Sequence, residues 1–153
     1  MQRNTFTRTL LAAAALAVAM PGLAQTQTMK LTLGHGAAPG NPRHEAAVKF
    51  AETLKAKTAG RIEVQVAPSA QLGDDAAMVT AVRTGALDMT ANSQGAVSVA
   101  VPEYAAYGMP FMFSTPAQAF KVLEGTKGHK LAQKYGDKGI AVRGCRNNGM
   151  RHK

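Results

Sequence analysis

The chain has 153 residues, 46% apolar and 18% charged, fractions that suit a globular protein with its own core and exclude wholesale disorder. One cysteine excludes a disulfide scaffold, and the lack of triplet or heptad repeats excludes collagen-like and coiled-coil classes. The formal net charge of +9 is the one abnormal value, and taken alone it points at nucleic acid or anionic lipid.

Residues 1–24 read as a secretory signal peptide. Arg3 and Arg8 form a positive n-region, and Leu10 to Met20 is an unbroken apolar run. Pro21 and Gly22 break that run, and Gly22 and Ala24 place small residues where signal peptidase reads. The competing reading is a membrane anchor, but eleven residues of helix span only about 16 Å, roughly half a bilayer core. Cleavage is expected after Ala24, leaving residues 25–153 as an exported chain with no membrane insertion.

Met29 to Leu33 alternates apolar and polar residues and stops at Gly34, the pattern of a first strand. Asn41-Pro42 starts a helix, with Ala47, Phe50, Ala51 and Leu54 on one stripe and Gly60 as its stop. Arg61 to Val66 is the clearest strand, ended by Pro68. Asp74 and Asp75 open a second helix, where carboxylates suit the positive end of the dipole, and Gly85 closes it. Ala86 to Ala91 reads as a third strand, and Asn92 to Ser114 as irregular chain. Thr115-Pro116 opens a further helix carrying Phe120 and Leu123, broken at Gly125 and Gly128 and ended at Gly136. Ile140 and Val142 mark a last strand. Strands joined by helices imply an α/β fold with a mostly parallel sheet and helices on both faces. Ligands of such sheets bind beyond the carboxyl ends of the strands. Here those ends are Gly34 to Gly36, Pro68 to Asp75, Asn92 to Gly95, and the chain after Val142.

The charge is unevenly placed. Residues 25–120 are neutral, with Lys30, Arg43, Lys49, Lys55, Lys57, Arg61 and Arg83 balanced by Glu45, Glu52, Glu63, Asp74, Asp75, Asp88 and Glu103. The excess lies in the leader and after residue 120. Without interleaved aromatics, an RNP-like motif or paired Cys/His ligands, nucleic acid is not an expected partner. No His-Glu-x-x-His or Gly-x-Ser-x-Gly motif and no phosphate-binding glycine loop occurs, so no enzyme, metal or cofactor is expected. Asp74 and Asp75 are neighbours that point in different directions and do not make an acid/base pair. Cys145 reads as an inert strand residue.

Several short motifs in order resemble the DctP-type solute-binding proteins of TRAP (tripartite ATP-independent periplasmic) transporters. They are Leu33-Gly34-His35 with Asn41-Pro42, Phe50-Ala51-Glu52, Gly60-Arg61-Ile62, and Gln71-Leu72-Gly73-Asp74-Asp75. Gly85 to Thr90, Val101-Pro102-Glu103-Tyr104, Met109 to Phe113, and Asn148-Gly149-Met150-Arg151 continue the series. The resemblance implies a periplasmic-binding-protein-like lobe that captures a small organic acid in the periplasm and delivers it to membrane permease subunits. Arg151 matches an arginine that contacts the ligand carboxylate, a group suited to a two-donor guanidinium fork. Asp75 matches a loop carboxylate that reaches ligand hydroxyl or amine groups. Ser93, Gln94 and His35 stand at strand ends, where they can hydrogen-bond a ligand. The bland readings are a solvated tail arginine, a dipole-favouring helix-start carboxylate and ordinary loop polarity. Met109 to Phe113 is expected in core or interlobe packing. Family members have a second lobe, a hinge and a second clamping arginine, and Arg146 stands where an aromatic is common. A truncated half-protein unable to close on a ligand is therefore the alternative reading.

Overall fold

In the computed structural model, which describes residues 27–145, the first alternating segment becomes strand β1 (Met29–Gly34). Helix α1 (Pro42–Lys57) follows, started by Asn41, whose side chain accepts the Arg43 N–H at 2.9 Å, with Pro42 in the first turn. Thr58 caps its end, and the left-handed Ala59 and Gly60 (φ 50° and 77°) turn the chain into strand β2 (Ile62–Ala67). Helix α2 (Asp75–Thr84) ends at Gly85, which is left-handed at φ 75°, as a C-terminal glycine should be. The signal peptide segment and Arg151 lie outside the described residues.

Strand β3 (Met89–Thr90) is shorter than the Ala86 to Ala91 expected from sequence. The Asp88 carboxylate itself accepts the Thr32 N–H of β1 at 2.8 Å, so the ladder with β1 begins only at Met89. The three strands form a parallel sheet in the order β2-β1-β3. Alternation along β1 divides its side chains between the two faces. Leu31 and Leu33 pack with Ala47, Ala51 and Leu54 of α1 and with Ile62, Val64 and Val66 of β2. On the other face Gly34 meets α2, where an added Cβ would lie 2.7 Å from the Met78 sulfur. Helices thus cover both faces, as the sequence implies.

The segment read as irregular contains a short helix α3 (Gln94–Val97) and a 3-10 stretch (Pro102–Gly108). Helix α4 (Pro116–Leu123) is capped by Thr115. Helix α5 (Thr126–Asp137) starts after the expected break at Gly125 and ends one residue past Gly136, close to the end expected there, but it runs through Gly128, where the sequence predicts a break. Gly128 serves another purpose: a Cβ there would overlap the Leu123 carbonyl, so glycine lets the α4–α5 turn close. The buried Tyr135 of α5 donates its hydroxyl to the Val97 carbonyl at 3.2 Å and meets Tyr104 edge-on at 5.8 Å between ring centroids. Ile140 and Val142 form no strand among the described residues, since no neighbouring strand pairs with them. Nor do Met109, Phe111 and Met112 enter the core, for Phe111 is 92% exposed.

Candidate functional site

The carboxyl ends of the three strands converge on the N-terminus of α2, where an open cavity of about 410 Å³ is lined by Gly36, Ala37, Asn41, Arg43, Ala70 and the Asp74-Asp75 pair. The adjacent carboxylates have separate tasks. Asp74 is the N-cap of α2 and accepts the Ala77 N–H at 2.7 Å. Asp75, one residue on, faces the strand ends. Its Oδ2 accepts the Arg43 guanidinium at 3.3 Å and both the N–H and the hydroxyl of Ser93 at 3.2 and 3.1 Å. Asn92 ties the same corner by donating its amide to the Asp75 carbonyl at 2.9 Å. Asp75 Oδ1 is buried and has no hydrogen-bond partner. It faces Gly36, where an added Cβ would lie 2.7 Å away, so only glycine leaves this oxygen its space.

Arg43 went unnoticed in the sequence because a basic residue in a helix reads as solvated. Its side chain is only 15% exposed and spends one donor on Asp75. One signal was available, since a cation in the first turn opposes the helix dipole and calls for an outside anion. His44, the next residue, carries no signal in the sequence either, because its partner His35 belongs to another part of the chain.

His35 is fully buried. Its Nδ1 accepts the Ala37 N–H at 3.2 Å, and its Nε2 lies 3.3 Å from His44 Nδ1. The network therefore places the proton on Nε2, which donates to His44. Burial holds the His35 pKa below its ordinary 6.5, helped by the positive potential of His44 and Arg43 and opposed by Asp75. Both ring nitrogens are spent inside the protein, so His35 shapes the wall from behind it. Gln94 is likewise engaged, donating its amide to the Tyr104 carbonyl at 2.8 Å. Of the residues singled out by sequence, the structure brings Asp75 and Ser93 together with Arg43, sets His35 beneath them and turns Gln94 away.

The chain is thus a parallel α/β unit with a polar, cation-bearing cavity at its strand ends. Residues 33–153 match the family described as bacterial extracellular solute-binding protein, family 7 (DctP), and the chain belongs to that family of TRAP solute-binding proteins. It is 31% identical over 140 residues to the C4-dicarboxylate-binding periplasmic protein DctP of Rhodobacter capsulatus, covering 91% of this chain and 41% of that one. It is 56% identical over 122 residues to the uncharacterized protein y4mM of Sinorhizobium fredii, covering 80% of this chain and 23% of that one. The chain thus spans less than half the length of these relatives. Among solved structures it resembles the sugar acid binding protein DctPAm of Advenella mimigardefordensis in complex with galactonate. The TM-score is 0.72 at 27% identity, over 75% of this chain and 37% of that chain. A TRAP periplasmic solute-binding protein of Chromohalobacter salexigens with bound D-glucuronate gives a TM-score of 0.68 at 28% identity, over 73% of this chain and 37% of that one. The architecture is one lobe of such a protein, and the family is a transport component rather than an enzyme. Among the described residues no helix is long and apolar enough to cross a membrane.

Proposed function

We propose that the chain is the ligand-capturing lobe of a periplasmic TRAP receptor for a small organic acid, which it hands to the membrane permease subunits after removal of residues 1–24. The observation that carries this reading is the unpartnered Asp75 Oδ1 beside a guanidinium in an open strand-end cavity. A buried acceptor without a donor is costly, so the cavity calls for a ligand hydroxyl or amine at that point. Arg43 retains donors for an oxygen of the same ligand. Ser93 fixes Asp75, and Arg151 acts as carboxylate clamp. His35 and Gln94 hold the surrounding backbone. Burial on the open side falls to the remaining length seen in the relatives, so one lobe alone binds weakly.

The test is thermal melting of the chain with D-galactonate, D-glucuronate and succinate at millimolar concentration, with neutral D-galactose as control. An acid that raises the melting temperature, by mass action on the folded state, supports the reading, and Asp75→Asn should weaken the rise. A flat response to all acids, while a two-lobed version of the chain responds, favours the ligand-incompetent half-protein.

A further inference from the structure

The cavity wall rests on one imidazole. The chain leaves β1 through His35 and turns at once into Gly36-Ala37, a turn closed by the Ala37 N–H donating to His35 Nδ1 at 3.2 Å. The exit of β2 leans on the same turn. The Ser69 N–H donates to the Ala37 carbonyl at 2.9 Å and the Ala70 N–H to the His35 carbonyl at 3.1 Å. Ser69 and Ala70 are both left-handed, at φ 55° and 57°, a conformation that residues with a Cβ keep only where their surroundings impose it. Ala37 and Ala70 line the cavity.

The charged groups facing His35 are His44 and Arg43 from α1 and Asp75 from α2. The β2 exit loop (68–73) and the end of β3 (89–92) carry no titratable side chain. We propose that the His35–His44 pair is an acid-operated latch on this wall. When neutral, it holds the Gly36-Ala37 and Ser69-Ala70 turns together. A proton on His35 Nδ1 replaces the acceptor of the Ala37 N–H with a second donor and releases both turns.

The sign follows from the environment. Burial, His44 and Arg43 hold the folded value below 6.5. The released chain therefore takes up a proton at His35 before the closed wall does. The latch is at full strength above pH 6.5 and weakens as pH falls from there through the folded value. This device goes beyond acid capture and stands whatever the ligand is.

The experiment is NMR on the whole chain without ligand, following the His35 ring and the exchange protection of the Ala37 and Ala70 amides from about pH 7.5 to about pH 5. Protection of both amides should fall by roughly tenfold or more in step with the ring, while Val64 in the core keeps its own. His35→Asn supplies an uncharged oxygen to the N–H two residues on, as in an Asx turn, and should abolish the fall. A ring that titrates at or above 6.5, amides that stay protected while it titrates, or an equal fall in His35→Asn overturns the latch. Should His35→Asn not fold, the coincidence of ring and amides in the unaltered chain decides.

Discussion

Ser93 gives both its backbone N–H and its hydroxyl to a single oxygen of Asp75, 18 residues earlier in the chain. This bond pair joins the start of α2 to the chain leaving β3, beyond the ends of a sheet in which β2 and β3 flank β1. It also decides the chemistry of the cavity. With Oδ2 saturated by Ser93 and Arg43, Oδ1 is left as the one buried side-chain oxygen or nitrogen among the described residues without a partner.

Removing that carboxylate should cost stability before any ligand is considered. Asp75→Ala leaves the Ser93 donors and the largely buried Arg43 without their acceptor, an expected loss of about 1–3 kcal/mol in urea unfolding. Asp75→Asn keeps an oxygen for Ser93 and gives up the charge, so it should lose less. Equal losses would assign the effect to the ion pair with Arg43 rather than to the Ser93 bonds.

The neighbouring carboxylate should contribute to stability as a helix cap. Asp74→Ala removes the acceptor of the Ala77 N–H and should cost about 0.5–2 kcal/mol. Asp74→Ser should restore most of it, because a hydroxyl caps as well. Comparing both variants by urea unfolding checks this, and a Ser variant as unstable as Ala would count against a capping role.

Much of this fold is legible in the sequence because it is local. Asn41-Pro42, Asp74 and Gly85 announce helix ends through bonds made within a few residues, and the alternation in β1 and β2 reports their buried sides. The errors fall where distance decides. Asp88 trims β3 by reaching Thr32, a residue of another strand. Gly128 looks like a helix breaker, yet it is required by the carbonyl of Leu123 packed against it. In the candidate site, Ser93 stands out by its strand-end position and Asp75 through the family resemblance. Arg43 and His44 were not, because their partners Asp75 and His35 lie 32 and 9 residues away.

Gly34 offers a test of the face opposite α1. An alanine there would put its Cβ 2.7 Å from the sulfur of the fully buried Met78. Such overpacking costs about 1–3 kcal/mol. Shortening the obstacle should give part of this back, so Gly34→Ala with Met78→Val should be less unstable than the sum of the single changes. Chemical unfolding of the four proteins in the cycle measures that coupling. Strict additivity would mean that the two residues do not meet.

Tyr135 links stability to alkaline pH. Its hydroxyl donates to Val97 from a buried position, so Tyr135→Phe should cost about 0.5–1.5 kcal/mol near neutrality. Burial, with smaller contributions from Cys145 and Glu103, pushes its pKa from 10.0 up to about 12. Burial raises Tyr104 too, with the contact to Cys145 adding to it. An unfolded chain ionises these phenols first. The stabilisation of the neutral Tyr135 is therefore complete below pH 10.0 and is lost as pH rises to about 12. Absorbance titration should show Tyr135 ionising well after a free tyrosine, and its late contribution should vanish in Tyr135→Phe. The decline in unfolding free energy above pH 10.0 should be shallower in that variant, with the remainder coming from Tyr104. A Tyr135 that ionises with an ordinary tyrosine value would mean that α5 does not bury it against α3.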